Sequence, residues 1–309
     1  MARTRRPKRD ERPGPAGFLT VDKPAGWTSH DVVDAARRWF GTRRVGHLGT
    51  LDPQATGVLP LAIREATKLV SFLGGSSKSY VGTVRLGVET DTLDGEGRVV
   101  SRYAHGLPDE AAVRVALAGF LGHIEQVPPM FSAVKQGGVP LHRLARRGEV
   151  VEREPKKVRV HRLEALRFVS PDVEIGVECS EGTYVRTLAS DLGTALGCGA
   201  YLLSLRRTRS GPFSEAAALP VEALDAAAEA GTVDEFLQTP AEVLDLPLID
   251  LPGDAAKRVI HGGNIPLGTE LRLGPGARIL AEDSQGKLLA LMELRADRRL
   301  WPLRVLATS

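Results

Sequence analysis

The chain has 309 residues, with 41 Lys and Arg against 38 Asp and Glu, two cysteines and a formal net charge of +3. At 42% hydrophobic and 26% charged residues it has room for about two globular domains, which excludes a disordered or collagenous chain. No apolar run approaches the roughly 18 residues of a membrane helix, the Arg-rich start lacks the apolar segment of a secretory signal, and Cys179 and Cys198 lie in neither a CxxC pair nor a metal-ligand pattern, so a reducing cytoplasm, without metal or disulfide, is expected.

Residues 1–15 carry six Arg and Lys among three prolines and read as a disordered basic tail. Residues 17–21 read as a first strand. Thr28 and Asp31 have capping-box spacing, and Val32, Val33, Ala36, Trp39 and Phe40 follow at helical intervals, so a helix is expected there. Tyr80, Val84, Leu86 and Val88 alternate with polar positions as in a strand. Residues 109–121 have a helical start and spacing, and Val173, Ile175, Val177 and Cys179 form the clearest half-buried strand. Residues 183–196 read as a strand end running into a helix closed by Gly197. Residues 215–254 hold ten acids and no Lys or Arg; the part from 215 to about 246 is Ala- and Leu-rich and is expected to form one or two surface helices. Pro247, Pro252 and Gly253 mark a boundary, after which short strand-like runs near 278–281, 288–294 and 303–306 predict a small β domain. Of the 41 cations 32 are Arg, the planar fork that grips phosphate bidentately, although GC-rich codon usage produces the same bias.

The segment 44–60, RVGHLGTLDPQATGVLP, carries the strongest chemical signal. Gly46, Gly49 and Gly57 permit close backbone approach, and Pro53 pushes Asp52 into an extended conformation. A carboxylate so held is either a turn residue or a positioned catalytic acid, and local chemistry alone leaves both open.

This loop resembles the catalytic motif of the TruB family of tRNA pseudouridine synthases, and three further motifs follow in the family's order. They are FLTVDKP at 18–24 with Gly26, Trp27 and Ser29; KSY at 78–80 with Arg85, Gly87 and Thr90 to Thr92; and GTYVRTLASDLG at 182–193, trailed by GCGA at 197–200 and LRRT at 205–208. The last 55 residues, with VIHGGNI at 259–265, resemble the RNA-binding PUA domain. The resemblance implies an α+β fold, a large mixed sheet flanked by helices with a thumb insertion, in a catalytic domain at 16–246 followed by a PUA-like pseudo-barrel at 247–309.

The implied reaction isomerises the T-loop uridine at tRNA position 55. It breaks N1–C1′ and joins C5 to C1′ with no net oxidation and no departing group, so neither redox cofactor nor metal is required. By the resemblance Asp52 is the essential carboxylate, acting as nucleophile or base. Arg186 pairs with it and holds it ionised. Tyr80 stacks on the flipped base and is implicated in removing the C5 proton. His47, Lys23, Tyr184 and Leu205 fall to substrate binding, with Leu205 walling the uracil pocket. Without the family match Tyr80 reads more often as core, Leu205 reads nearly as well as core, and Arg186 reads as a surface cation at a strand end.

The segment at about 127–151, with Lys135, Arg143, Arg146 and Arg147, resembles the thumb that closes over the T-stem loop, where cations meet phosphate. Three positions depart from the common pattern: Phe131 and His142 where Tyr is frequent, and Leu48 where Thr is. The expected partner is the T-stem loop and elbow of tRNA, bound by a monomer without guide RNA. The competing readings are an RNA-binding or tRNA-folding module with vestigial catalysis, and the guide-dependent relative that works among partner proteins. The acidic stretch is expected to face away from phosphate.

Overall fold

The computed structural model describes residues 12–103, 106–132, 134–149, 151–268 and 273–307. Most of the expected basic tail, residues 1–11, and the side chain of His142 lie outside the described residues. The chain divides into two compact units, the first of residues 1–53, 59–74 and 216–309, the second of residues 54–58 and 75–215.

The second unit is a mixed sheet with helices against it. Its strands run in the order Thr56–Val58, Ala200–Ser210, Lys78–Leu86, Asp172–Cys179, Lys156–Val169 and Gly122–Gln126, parallel in the first pair and antiparallel in the rest. The alternation read at 173–179 is realised: Val173, Ile175, Val177 and Cys179 are buried, opposite Val84, Gly82, Tyr80 and Lys78. The strand through Tyr80 stops at Leu86, because Gly87 takes φ 86°, and Val88 starts a short hairpin strand that pairs with Val99–Arg102.

Helix Val185–Ala195 packs on Ala200–Ser210, burying Val185, Leu188, Ala189 and Leu192, each large side chain contributing about 1.5–3 kcal/mol. Gly193 allows that approach, since a Cβ there would stand 2.2 Å from the Ala200 nitrogen. Helix Glu110–Ala118 begins one residue after the expected start, Asp109 being its cap: the Asp109 carboxylate accepts the Ala112 N–H at 2.9 Å. Such a cap contributes about 1 kcal/mol.

The first unit contains a parallel pairing of Gly17–Lys23 with Leu219–Pro220, with the Leu59–Ile63 part of the strand Thr56–Ile63 on the other side. Helix Ser29–Trp39 carries the capping box anticipated at Thr28 and Asp31 and buries Val32, Val33, Ala35, Ala36 and Trp39. Trp39 Nε1 donates to Asp225 at 2.6 Å, on helix Val221–Ala230. Arg64, at φ 55° and buried, donates to Pro15 O at 2.8 Å and to Asp234 at 3.0 Å, while Arg12 donates to the other Asp234 oxygen at 2.7 Å. The acidic stretch therefore forms two α-helices, Val221–Ala230 and Pro240–Leu244, with a 3-10 turn between them, and several of its acids bind within the fold.

The C-terminal part of this unit is a five-stranded sheet in the order Leu248–Leu251, Arg278–Asp283, Leu288–Leu294, Arg299–Val305 and Ile265–Pro266. Its core is Val259, Ile279, Ala281, Met292, Leu294 and Leu300, an arrangement that fits a PUA-like domain. Two details differ from the pattern reading. Helix Gly253–Ile260 lies inside the expected all-β region; at eight residues it is too short for its period to stand out. The last strand starts at Arg299, earlier than expected, and accommodates Pro302 next to a register shift in its pairing with Leu288–Leu294.

Candidate active site

The Asp52 loop is fastened on both sides of the carboxylate. Ahead of it, the Leu51 N–H donates to Ser29 Oγ at 2.9 Å and Ser29 Oγ donates to the Leu51 carbonyl at 3.1 Å. Behind it, the Pro53 carbonyl accepts the Gly26 N–H and Lys23 Nζ, both at 2.9 Å. Asp52 itself is half-buried. Lys23 is fully buried, and its ammonium also donates to the carbonyls of Pro24 at 2.8 Å and Trp27 at 2.7 Å. A buried ammonium needs such partners to offset several kcal/mol of lost hydration. Lys23 is thus the clamp that joins the segment 18–27 to the Asp52 loop. His47 is half-buried on the strand Val45–His47, opposite Leu61. The Leu48 departure is met by a main-chain bond, its N–H donating to Pro60 O at 2.9 Å, which any side chain allows.

In the second unit Tyr80 is buried on Lys78–Leu86, with Val177 opposite on one side and Arg207 on the other. Leu205 stands half-buried across from Gly82, where a Cβ would come within 3.2 Å of its Cδ1. The glycine makes room for the leucine. Arg207 is fully buried and its Nε donates to the Val58 carbonyl at 2.7 Å. Pattern reading passed over Arg207 within the LRRT run, since its role depends on a strand more than a hundred residues earlier.

Arg186 lies in the first turn of Val185–Ala195, where the helix dipole disfavours a cation. Carbonyls compensate: it donates to Thr92 O at 3.2 Å and to Phe131 O at 2.8 Å, and the Asp94 carboxylate is 3.5 Å away. Asp94 was not among the residues singled out by motif. Because the Phe131 contact runs through its carbonyl, Phe serves that bond as well as Tyr. Tyr184, half-buried at the helix cap, is fixed through its backbone, its N–H donating to Gln126 Oε1 at 3.0 Å while Gln126 Nε2 donates to its carbonyl at 3.3 Å.

Lys135, Arg143 and Arg146 are exposed on a small hairpin, Lys135–Gln136 with Val139–Pro140, and on the helix Leu141–Ala145 and the residues that follow it. Gly137 and Gly138 turn that hairpin with φ 56° and 83°. The two cysteines are free and buried; burial pushes the Cys179 thiol up to about 11, where it is neutral and unreactive. Among the described residues no group of three His, Cys, Asp or Glu could hold a metal ion, and no helix is long and apolar enough to cross a membrane.

Two family models match the chain, the TruB family pseudouridylate synthase N-terminal domain over residues 37–185 and the tRNA pseudouridylate synthase B C-terminal domain over residues 186–244. The chain is 43% identical to tRNA pseudouridine synthase B of Burkholderia mallei, an alignment covering 95% of this chain and 97% of that one. It is 40% identical to the protein of the same name from Pseudomonas fluorescens, over all of both chains. Among solved structures it is similar to a Cbf5–Nop10–Gar1 complex, with a TM-score of 0.66 and 28% identity over 94% of this chain and 85% of that one. It is also similar to an H/ACA RNP bound to a substrate RNA containing 2′-deoxyuridine, with a TM-score of 0.65 and 25% identity over 94% and 85%.

Proposed function

Because this chain belongs to the TruB family of tRNA pseudouridine synthases, we propose that it isomerises the T-loop uridine at position 55 of tRNA to pseudouridine. The observation that carries the reading is the match to tRNA pseudouridine synthase B along nearly the whole chain, which takes in all four motifs. The H/ACA neighbours share less identity, and the exposed cations at 135–147 offer RNA contacts of the enzyme's own, so the reading is a guide-independent enzyme, monomeric, cytoplasmic, gripping the tRNA elbow.

In this reading Asp52 is the essential carboxylate, and the paired fastening of its loop supports a role that needs aim. Tyr80 stacks on the extruded uracil and receives the C5 proton. Arg186 orders the site and holds the carboxylate ionised. Leu205 walls the base; His47, Tyr184 and Lys23 position the loop and nucleotide. Lys135, Arg143 and Arg146 meet phosphate from a thumb at about 127–151. The catalytic domain spans 16–246 and the PUA-like RNA-binding domain 247–309. An RNA-binding module with vestigial catalysis fits less well, since the residues that chemistry needs are all present.

The test uses pure protein and a bare T-arm hairpin carrying C5-tritiated uridine. The wild type releases tritium without guide or partner; Asp52→Asn binds the hairpin but releases none. Turnover by that variant at a substantial fraction of wild type removes Asp52 from the chemistry. Failure of the wild type on the bare hairpin removes the guide-independent reading.

A further inference from the structure

Arg207 has the largest side chain that the described residues bury completely, and the chemistry proposed above gives it no task. Taking a guanidinium out of water costs several kcal/mol unless it is held. One bond, from Nε to the Val58 carbonyl at 2.7 Å, fixes its direction. Strand pairing sets Tyr80 directly across from it. Lys78, two residues before Tyr80 on the same strand, lies on the same face by strand alternation.

We propose that Arg207 is a positioning residue that keeps Tyr80 ready to take the uracil C5 proton, by aiming the phenol oxygen and stabilising its ionised form. This rests on the role given to Tyr80 above. Burial holds the Arg207 pKa below its ordinary value, while the charge and hydrogen bond of Tyr80 act the other way. The coupling is reciprocal: what a phenolate does for the guanidinium, the guanidinium does for the phenolate.

The charged groups around Tyr80 favour the same sign. On its own strand Lys78 is a cation whose pKa is lowered by burial and by Arg207, opposed by Glu181 at 3.9 Å. The strand Asp172–Cys179 presents apolar Val177 opposite Tyr80 and neutral Cys179 opposite Lys78. Glu178 falls on the alternate face, its carboxylate accepting from Ser77 Oγ at 3.1 Å.

The step balances for routes in which Asp52 acts at the ribose. Once C5 has joined C1′, it still carries its hydrogen. That proton passes to the Tyr80 oxygen, the C–H pair becomes the C5=C6 bond, and the N1=C6 pair moves to N1, which takes a proton from water. The phenol then returns its proton to solvent.

Two variants separate charge from shape. Tyr80 ionisation is read in the free enzyme by ultraviolet difference titration, assigned by subtracting Tyr80→Phe from a chain with four tyrosines. Arg207→Gln is expected to move the Tyr80 midpoint to higher pH and Arg207→Lys to leave it near wild type. In single turnover, tritium release by Arg207→Gln falls about tenfold for each unit of that shift at pH below the midpoint, and 3-fluorotyrosine, whose phenol ionises at lower pH, restores it. Equal Tyr80 midpoints in wild type and folded Arg207→Gln overturn the proposal. Should both Arg207 variants fail to fold, Lys78→Met decides by the same titration: an upward shift supports the electrostatic account and an unmoved midpoint overturns it. The titration needs no RNA, so it stands whether or not the T-loop substrate is correct.

Discussion

Replacing Lys23 with methionine keeps the length of the side chain and deletes its charge. The ammonium donates to the carbonyls of Pro24, Trp27 and Pro53 at 2.8, 2.7 and 2.9 Å. Hydrogen bonds to charged groups contribute about 1.5–3 kcal/mol each, but Pro53 keeps the Gly26 N–H at 2.9 Å, so two carbonyls bear most of the loss. Methionine no longer has an ammonium to dehydrate, which returns part of that sum, and the expected net loss is about 3 kcal/mol. Urea unfolding followed by tryptophan fluorescence reads it cleanly, because all three tryptophans, Trp27, Trp39 and Trp301, lie in the first unit. The Pro53 end of the loop is then loosened, and a misplacement of about 1 Å in a reacting group costs about a hundredfold in rate. On the T-arm hairpin kcat therefore falls far more than KM changes. A stability loss under about 1 kcal/mol with unchanged kcat would refute the clamp.

Gly57→Ala should lose more than about 3 kcal/mol, since its φ is 95° and a Cβ would stand 2.3 Å from the Arg207 carbonyl; a thermal melt within a few degrees of wild type contradicts this. Burial raises the Asp191 carboxyl above its ordinary value. Folding therefore disfavours its charge, and stability present at low pH is lost as pH rises through the folded pKa. Asp191→Asn should melt higher than wild type at pH 7, with the gap closing towards acid; a pH-independent gap or one of opposite sign rejects the assignment. The triple variant Lys135→Ala, Arg143→Ala, Arg146→Ala should flatten the salt dependence of hairpin binding by about two to three in log–log slope, and an unchanged slope takes these cations off the phosphates.

Local signals in the sequence carried much of the fold. The capping box at Thr28 and Asp31, the alternation from Val173 to Cys179, and the helix after Tyr184 each depend on neighbours within about ten positions, where side-chain chemistry and backbone period speak directly. The Gly87 break was hidden, because Val88 continues the alternation and only the backbone turn shows that it has left the sheet. At the site, motif order pointed to Asp52, Tyr80 and Arg186. It could not show that Lys23 reaches a carbonyl thirty positions on, that Asp94 and Thr92 hold Arg186, or that Arg207 stands across from Tyr80. Such partnerships arise only when distant strands are brought side by side, and no local pattern encodes them.

The way the first unit is threaded sets an order on biosynthesis. The strand Gly17–Lys23 pairs with Leu219–Pro220, Trp39 with Asp225, and Arg64 with Asp234. A ribosome that has finished residues 1–74 must add about 160 more before these partners emerge, whereas the second unit is complete once residue 215 clears the exit tunnel. The Asp52 loop therefore belongs to the part of the molecule that matures last. One edge of the strand Gly17–Lys23 waits for Leu219–Pro220 through most of synthesis, a long loop closure that slows folding and delays a finished first unit until nearly the whole chain has been translated.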